Sequence, residues 1–243
     1  MCELVLRGSM GKIYGELRLP EGSGPLPLVI LSHGFGGNHA GHQDYADYFN
    51  SRGLATYSFD FCGGGVDSRS DGTMLEMSVL TEAKDLCAIV DHFRGDERFD
   101  RIFLWGASQG GFVSACVAAR RPRDVAAMVL EFPAFVLQDD AKKRAAPDGS
   151  FPETEMVLGN TIGRKYDLDA VSFDVYDVIG GYRGDVLIMH GDRDGIVPLK
   201  YSRRAQAVYA SAELVVMPGQ DHGFSGPARS QAMARQADFF LAH

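Results

Sequence analysis

The chain alternates short apolar runs with longer amphipathic stretches. Leu28–Ser32, Ala55–Phe59, Ile102–Trp105, Ala126–Leu130, Val186–Met189 and Leu214–Met217 are nearly continuous apolar runs, the pattern of strands buried on both faces. Between them, apolar residues recur three or four apart. Val79, Leu80, Ala83, Leu86, Cys87, Val90 and Phe93 predict one helix, and Phe112, Cys116, Val117 and Ala119 a second. Tyr201–Tyr209 and Gln231–Leu241 predict two more. Glu3–Arg7 and Ile13–Arg18 around a Gly-Ser-Met-Gly turn predict an N-terminal hairpin, and Glu21–Pro27 a Gly/Pro loop. Strand alternating with helix predicts an α/β protein, its central sheet mostly parallel and covered by helices on both faces.

Residues 134–183 break this rhythm. They show no clear strand, and charges, Pro and Gly are scattered among aromatics. A structureless loop of that length is uncommon inside a compact domain. The expectation is therefore a small helical insertion, placed to act as a lid.

The length of 243 residues allows one large domain or two small ones. A composition of 45% hydrophobic and 23% charged residues is that of a globular chain. Lys+Arg number 24 against 32 Asp+Glu, a net charge of -8, which argues against nucleic acid or an anionic membrane as partner. No stretch approaches the roughly 18 apolar residues of a membrane span. The N-terminal twenty residues alternate apolar and polar positions, so no signal peptide is expected. Cys2, Cys62, Cys87 and Cys116 lack Cys-x-x-Cys spacing, which leaves zinc and redox motifs unsupported and suits reduced thiols in a cytoplasmic protein.

The most informative motif is Gly106-Ala107-Ser108-Gln109-Gly110, a G-x-S-x-G between a predicted strand and a predicted helix. A serine on so sharp a turn projects its hydroxyl away from the sheet. Small residues two before and two after let the backbones pass closely, and the Gln109 N–H is left at a helix N-terminus, aimed at developing negative charge. A serine nucleophile needs a base, and in this architecture the chain order is Ser, then Asp or Glu, then His. His190 ends a strand and His243 is the last residue. His222 lies in a loop past the last predicted strand, at the sheet edge where Ser108 emerges, and is the expected base. Asp192 and Asp194 both follow the strand Val186–Met189. Asp194 is favoured because the Gly195-Ile196-Val197-Pro198 turn can face it towards His222, leaving Asp192 to cap the turn. The loop His33-Gly34-Phe35-Gly36-Gly37 offers the Phe35 N–H as second oxyanion donor beside that of Gln109. His39, His42 and Asp44 lie in one short segment without a remote third ligand, so no metal is expected and they read as solvated loop residues. Asp60-Phe61-Cys62-Gly63-Gly64-Gly65 lacks the residues of a phosphate cradle and reads as a strand-exit turn.

Together these residues resemble the α/β-hydrolase fold and, within it, the bacterial cinnamoyl (feruloyl) esterases. The resemblance is carried by His33-Gly34-Phe35, Asp60, Ser70-Asp71-Gly72, Ser78-Val79-Leu80-Thr81-Glu82-Ala83, Ser108-Gln109-Gly110-Gly111, His190-Gly191-Asp192, Asp194, Val197-Pro198 and Asp221-His222. It implies one α/β-hydrolase domain over 1–243 with a lid over 134–183, and no cofactor. It also implies that an acidic residue and a tyrosine of the lid hold the ring hydroxyl of a hydroxycinnamoyl group. Asp140 and Tyr166 match those positions, and both types suit a phenol. Asp140 reads equally as a helix N-cap, and Tyr166 equally as packing. The sequence departs from the family at Ala107, where His is usual, and at Gly63-Gly64-Gly65, where Gly-His-Gly is common. Both departures are expected to reshape the pocket without touching Ser108, Asp194 or His222.

The function implied is hydrolysis of a small-molecule ester, a hydroxycinnamate, through an acyl-enzyme on Ser108. The alternatives are a broad short-chain carboxylesterase or lipase-like acyl hydrolase, and a non-catalytic ligand receptor of the same fold. A peptidase of this fold is disfavoured because such proteins usually carry a large additional domain. A homodimer is compatible with the sequence, which does not determine the oligomeric state.

Overall fold

In the computed structural model, which describes residues 1–22 and 24–243, the apolar runs become strands and the amphipathic stretches helices. In chain order come β1 (Cys2–Arg7), β2 (Lys12–Arg18), β3 (Leu26–Ser32), α1 (Gln43–Ser51), β4 (Ala55–Phe59), α2 (Val79–Phe93), β5 (Phe99–Ala107), α3 (Gln109–Arg120) and β6 (Ala127–Glu131). Then follow α4 (Leu137–Arg144), β7 (Thr154–Val157), β8 (Asn160–Gly163), α5 (Arg164–Val171), α6 (Val175–Ile179), β9 (Asp185–Gly191), α7 (Lys200–Val208), β10 (Ala212–Met217) and α8 (Gly226–Ala242). The main sheet has eight strands in the order β1-β2-β4-β3-β5-β6-β9-β10. The hairpin β1–β2 joins it antiparallel at β4, and every pairing from β4 to β10 is parallel. This is the α/β-hydrolase fold.

Alternation along the central strands divides the interior into two cores. Ile30, Leu104, Leu130 and Ile188 face one, packed with α2 and α3. Val29, Leu31, Phe103, Trp105, Val129 and Leu187 face the other, with α1 and α8. β4 and β6 are buried along their whole length, their polar residues Thr56, Ser58 and Glu131 included. At the start of α2 a capping box stops the chain from fraying: the Thr81 N–H donates to Ser78 Oγ and the Ser78 N–H to Thr81 Oγ1, at 3.3 and 2.9 Å.

Three expectations need correction. The segment of His39, His42 and Asp44 is not a solvated loop: it forms a 3₁₀ turn leading into α1, which buries Tyr45, Ala46 and Phe49. The insertion is not purely helical, because β7 and β8 pair as an antiparallel hairpin. Its two-residue turn, Leu158-Gly159, has φ of 46° and 82°, the left-handed geometry that suits the twist of a hairpin. Leucine is a poor residue for that geometry, so the turn carries no Asn-Gly signal. Finally, α4 begins at Leu137 with Val136 as its N-cap, so Asp140 sits inside the helix and is not its cap. Among the described residues, no helix is long and apolar enough to cross a membrane.

Candidate active site

Ser108 stands between β5 and α3 with φ 52° and ψ −118°, a strained backbone for a residue with a side chain. Its neighbours explain how the turn closes. A Cβ on Gly106 would lie 2.4 Å from the Gly110 carbonyl, and one on Gly110 2.2 Å from that of Ser32, so only glycine fits either place. Neighbouring strands hold the turn: the Ser108 N–H donates to the Glu131 carbonyl at 3.0 Å, and its carbonyl accepts from Ala134 at 2.9 Å.

His222 comes from the loop between β10 and α8. Its Nε2 is 3.0 Å from Ser108 Oγ and its Nδ1 2.8 Å from Asp194 Oδ2. Asp194 lies just past β9, in the turn expected for it, and its Oδ1 accepts from the Ile196 and Val197 N–H groups at 2.9 and 2.8 Å. Burial would raise the Asp194 pKa, but hydrogen bonds from His190, His222 and Val197 outweigh it and hold the carboxyl well below the usual range. Asp194 is thus ionised, keeps the proton on His222 Nδ1, and leaves Nε2 free to accept the serine proton. Asp192 accepts from the Gly219 N–H at 2.7 Å and pins the turn after β10.

Sequence reasoning missed two supports of this chain. His190, fully buried, places Nε2 2.8 Å from the Val197 carbonyl and 3.2 Å from Asp194 Oδ2. A carbonyl only accepts, so the proton is on Nε2, and Nδ1 takes the Ser202 hydroxyl at 2.7 Å. The signal for it was present in His190-Gly191-Asp192. Phe132 has φ 36°, and its ring packs edge-on to His222 with centroids 4.7 Å apart. Nothing in the sequence marks that residue.

The loop after β3 packs on the serine turn, where a Cβ on Gly34 would come within 3.2 Å of Ser108 Cβ. His33 fastens it: Nε2 accepts from the Phe61 N–H at 3.1 Å, so Nδ1 carries the proton and donates to the Gly34 carbonyl at 2.7 Å. Burial lowers the His33 pKa, which suits this neutral ring. Asp60, buried at the exit of β4, accepts from the His39 N–H and Nδ1 at 2.6 and 2.7 Å and from the Arg69 N–H at 2.7 Å. His39 is therefore held by Asp60 and is no solvated residue.

A cavity of about 380 Å³ opens beside Ser108. Phe35, Ser108, Gln109, Ile196 and Val197 line it from the sheet side; the other ten of its fifteen lining residues come from the insertion. Ala134, Val136, Leu137 and Val157 give it apolar walls, and Asp140, Arg144 and Glu155 charged ones. Asp140 Oδ1 accepts from Lys143 Nζ at 2.8 Å. Tyr166 lines the cavity too, but its hydroxyl donates to Gln109 Oε1 at 2.7 Å. Gln109 Nε2 in turn donates to Glu82 Oε2 at 2.8 Å. Ala107 and Gly63–Gly65 do not line the cavity. Ala107 faces the core of α1 and α8, and a Cβ on Gly65 would meet the Gly37 carbonyl at 2.3 Å. The departures at those positions do not reshape this pocket.

Comparison with known proteins identifies the family. The family model described as serine aminopeptidase, S33 (Hydrolase_4) matches residues 24–164, more than half of the chain. The chain belongs to this family of α/β-hydrolases. This serine α/β-hydrolase is 30% identical over 211 residues to a monoacylglycerol lipase of Mycolicibacterium smegmatis, covering 80% of the chain and 70% of the relative. It is 28% identical over 162 residues to the monoglyceride lipase of Mus musculus, covering 65% of the chain and about half (52%) of that enzyme. Est1E from Butyrivibrio proteoclasticus with bound ferulic acid superposes with a TM-score of 0.86 at 25% identity over 95% of both chains.

Proposed function

We propose that this hydrolase cleaves carboxylic esters through an acyl-enzyme on Ser108. The carrying observation is the hydrogen-bonded chain Ser108–His222–Asp194, at 3.0 and 2.8 Å, opening onto the cavity. His222 takes the serine proton as Oγ bonds to the ester carbonyl carbon. Phe35 and Gln109 offer their N–H groups to the oxyanion. Collapse of the tetrahedral species breaks the bond to the alcohol, which leaves with the proton from His222. Water, deprotonated by His222, then releases the acid and restores Ser108.

The acyl group sits under the insertion, which serves as a lid. Apolar walls with Asp140, Arg144 and Glu155 among them suit an aromatic acyl group bearing a hydroxyl, and Asp140 is the acceptor for it. The likeness to Est1E holding ferulic acid supports a hydroxycinnamoyl group. A second reading, a monoacylglycerol, is favoured by the lipase relatives and by Met156 and Leu158, 65% and 67% exposed at the cavity.

The test is kcat/KM on methyl ferulate, p-nitrophenyl butyrate, a monoacylglycerol and an aminoacyl p-nitroanilide. Ferulate is expected to exceed butyrate by about tenfold or more, and Asp140→Ala to remove most of that margin, since a hydrogen bond to a charged group is worth about 1.5–3 kcal/mol. Equal values would mean a broad esterase, and a lead for the monoacylglycerol the lipase reading. Turnover of the anilide alone would overturn ester hydrolysis.

A further inference from the structure

The residue after the proposed nucleophile is held by its side chain as firmly as by its backbone. Gln109 is 1% exposed, and its amide is used at both ends. Oε1 accepts from the Tyr166 hydroxyl on α5 at 2.7 Å, and Nε2 donates to Glu82 Oε2 on α2 at 2.8 Å. Glu82 and Tyr166 are as deeply buried, at 1% and 2% exposure. A neighbouring bond ties the same two helices, with the Ser78 hydroxyl donating to Asp169 Oδ2 at 2.5 Å. Charged groups lie close by: Arg144 binds Asp167 next to Tyr166, and Asp85 lies one turn beyond Glu82 on α2. Burial is the main force that pushes the Glu82 pKa up, to about 8.

This arrangement has a mechanical consequence. The first N–H groups of α3 have no acceptor within the helix, so the direction of the Gln109 N–H is set by whatever fixes residue 109. A side chain with its amide oxygen and nitrogen both bonded cannot rotate without breaking two buried hydrogen bonds, each costly to leave unmade. One anchor belongs to the sheet scaffold and the other to the insertion.

We propose that Tyr166 and Glu82 are positioning residues that act through the Gln109 side chain to aim its N–H at the oxyanion, so that the insertion tunes the chemical step. The proposal rests on the acyl-enzyme reading and revises the role implied for Tyr166, whose hydroxyl serves the enzyme and not the substrate.

The test uses an acyl group too short to fill the insertion's part of the cavity. Tyr166→Phe removes one oxygen. On p-nitrophenyl acetate, with rates normalised to the burst titration of active sites, kcat is expected to fall about tenfold with KM little changed; loss of a whole donor costs about 10²–10³. Methyl ferulate should lose kcat by the same factor. The inhibition constant of methylboronic acid, whose serine adduct is a tetrahedral anion, should rise in parallel. Glu82→Gln keeps the acceptor for Gln109 and should stay within about threefold of the parent, whereas Glu82→Leu should match Tyr166→Phe.

The proposal is overturned if Tyr166→Phe leaves acetate turnover and boronate affinity unchanged and weakens ferulate alone, which would make Tyr166 a substrate contact. It is also overturned if Glu82→Leu keeps the parent's kcat. Should Glu82→Leu fail to fold, Tyr166→Phe decides. Full acetate turnover by Ser108→Ala would instead remove the acyl-enzyme reading itself.

Discussion

The sheet and the insertion meet at one cavity and are built by different rules. On the sheet side, Ser108, Asp194 and His222 come from the ends of β5, β9 and β10, and backbone bonds into neighbouring strands and turns fix their places. On the insertion side, the stretch entering α4, α4 itself, the β7–β8 hairpin and Tyr166 of α5 supply most of the cavity wall, and Met156, Leu158 and Leu168 are exposed. The sheet thus holds a fixed hydrogen-bond chain, while, among the described residues, the side chains of the insertion make no bond to it, apart from that of Tyr166 through Gln109. In the proposed reading the contrast separates two tasks: bond cleavage on one side, choice of acyl group on the other. The Tyr166–Gln109 bond is the place where they touch.

The largest effect on that contrast comes from the sheet. Asp194→Asn keeps the shape of the chain but lets His222 present the wrong tautomer, and kcat should fall about 10⁴-fold. Because the lesion lies in the chemical step, every ester should lose the same factor. A loss restricted to aromatic esters, in a ferulate-to-butyrate comparison, would mean the two sides are not separable. Asp140→Ala on the insertion side should do the converse, altering the ratio between esters and sparing the butyrate rate.

A smaller effect concerns stability. Glu131 ends β6, fully buried, and accepts from the Tyr45 hydroxyl at 2.8 Å and from Gln236 Nε2. Burial raises its pKa to about 7, with the bonds from Gln236 and Tyr45 opposing in part. A carboxyl raised in this way ionises more readily in the unfolded chain. Below its unfolded pKa the proton is held in both states; as pH rises from there through about 7, the unfolded state sheds it first and stability falls. Glu82, raised to about 8, extends the same trend. Glu131→Gln should therefore flatten the decline in the urea midpoint between pH 5 and pH 8, sparing roughly 2–3 kcal/mol. An unchanged pH slope would refute the assignment of a buried, proton-holding Glu131.

How legible each region was in the sequence follows from the same physics. Strands buried on both faces are mostly apolar, so β3, β4, β6 and β9 stood out even though they bury Thr56, Ser58, Glu131 and His190. The serine turn requires glycine at 106 and 110 for backbone clearance, and that requirement writes a motif. Asp194 and His222 followed from chain order and from loops at one sheet edge. The insertion obeys no such constraint. Leu158 adopts a left-handed turn that its residue type does not announce, so the β7–β8 hairpin was invisible. The bonds of Tyr166 to Gln109 and of Glu131 to Tyr45 and Gln236 join residues far apart in the chain, and no local pattern encodes them. The α1 region was misread because three polar residues, His39, His42 and Asp44, masked the buried stripe of Tyr45, Ala46 and Phe49.

The central claim is covalent: Ser108 carries the acyl group. Intact-mass analysis of the protein treated with a fluorophosphonate, followed by peptide mapping, tests it most directly. One adduct per chain is expected, on the peptide that contains Ser108, absent from Ser108→Ala and much slower to form in Asp194→Asn. Labelling that persists in Ser108→Ala, or no labelling of a protein that still hydrolyses esters, would contradict the account.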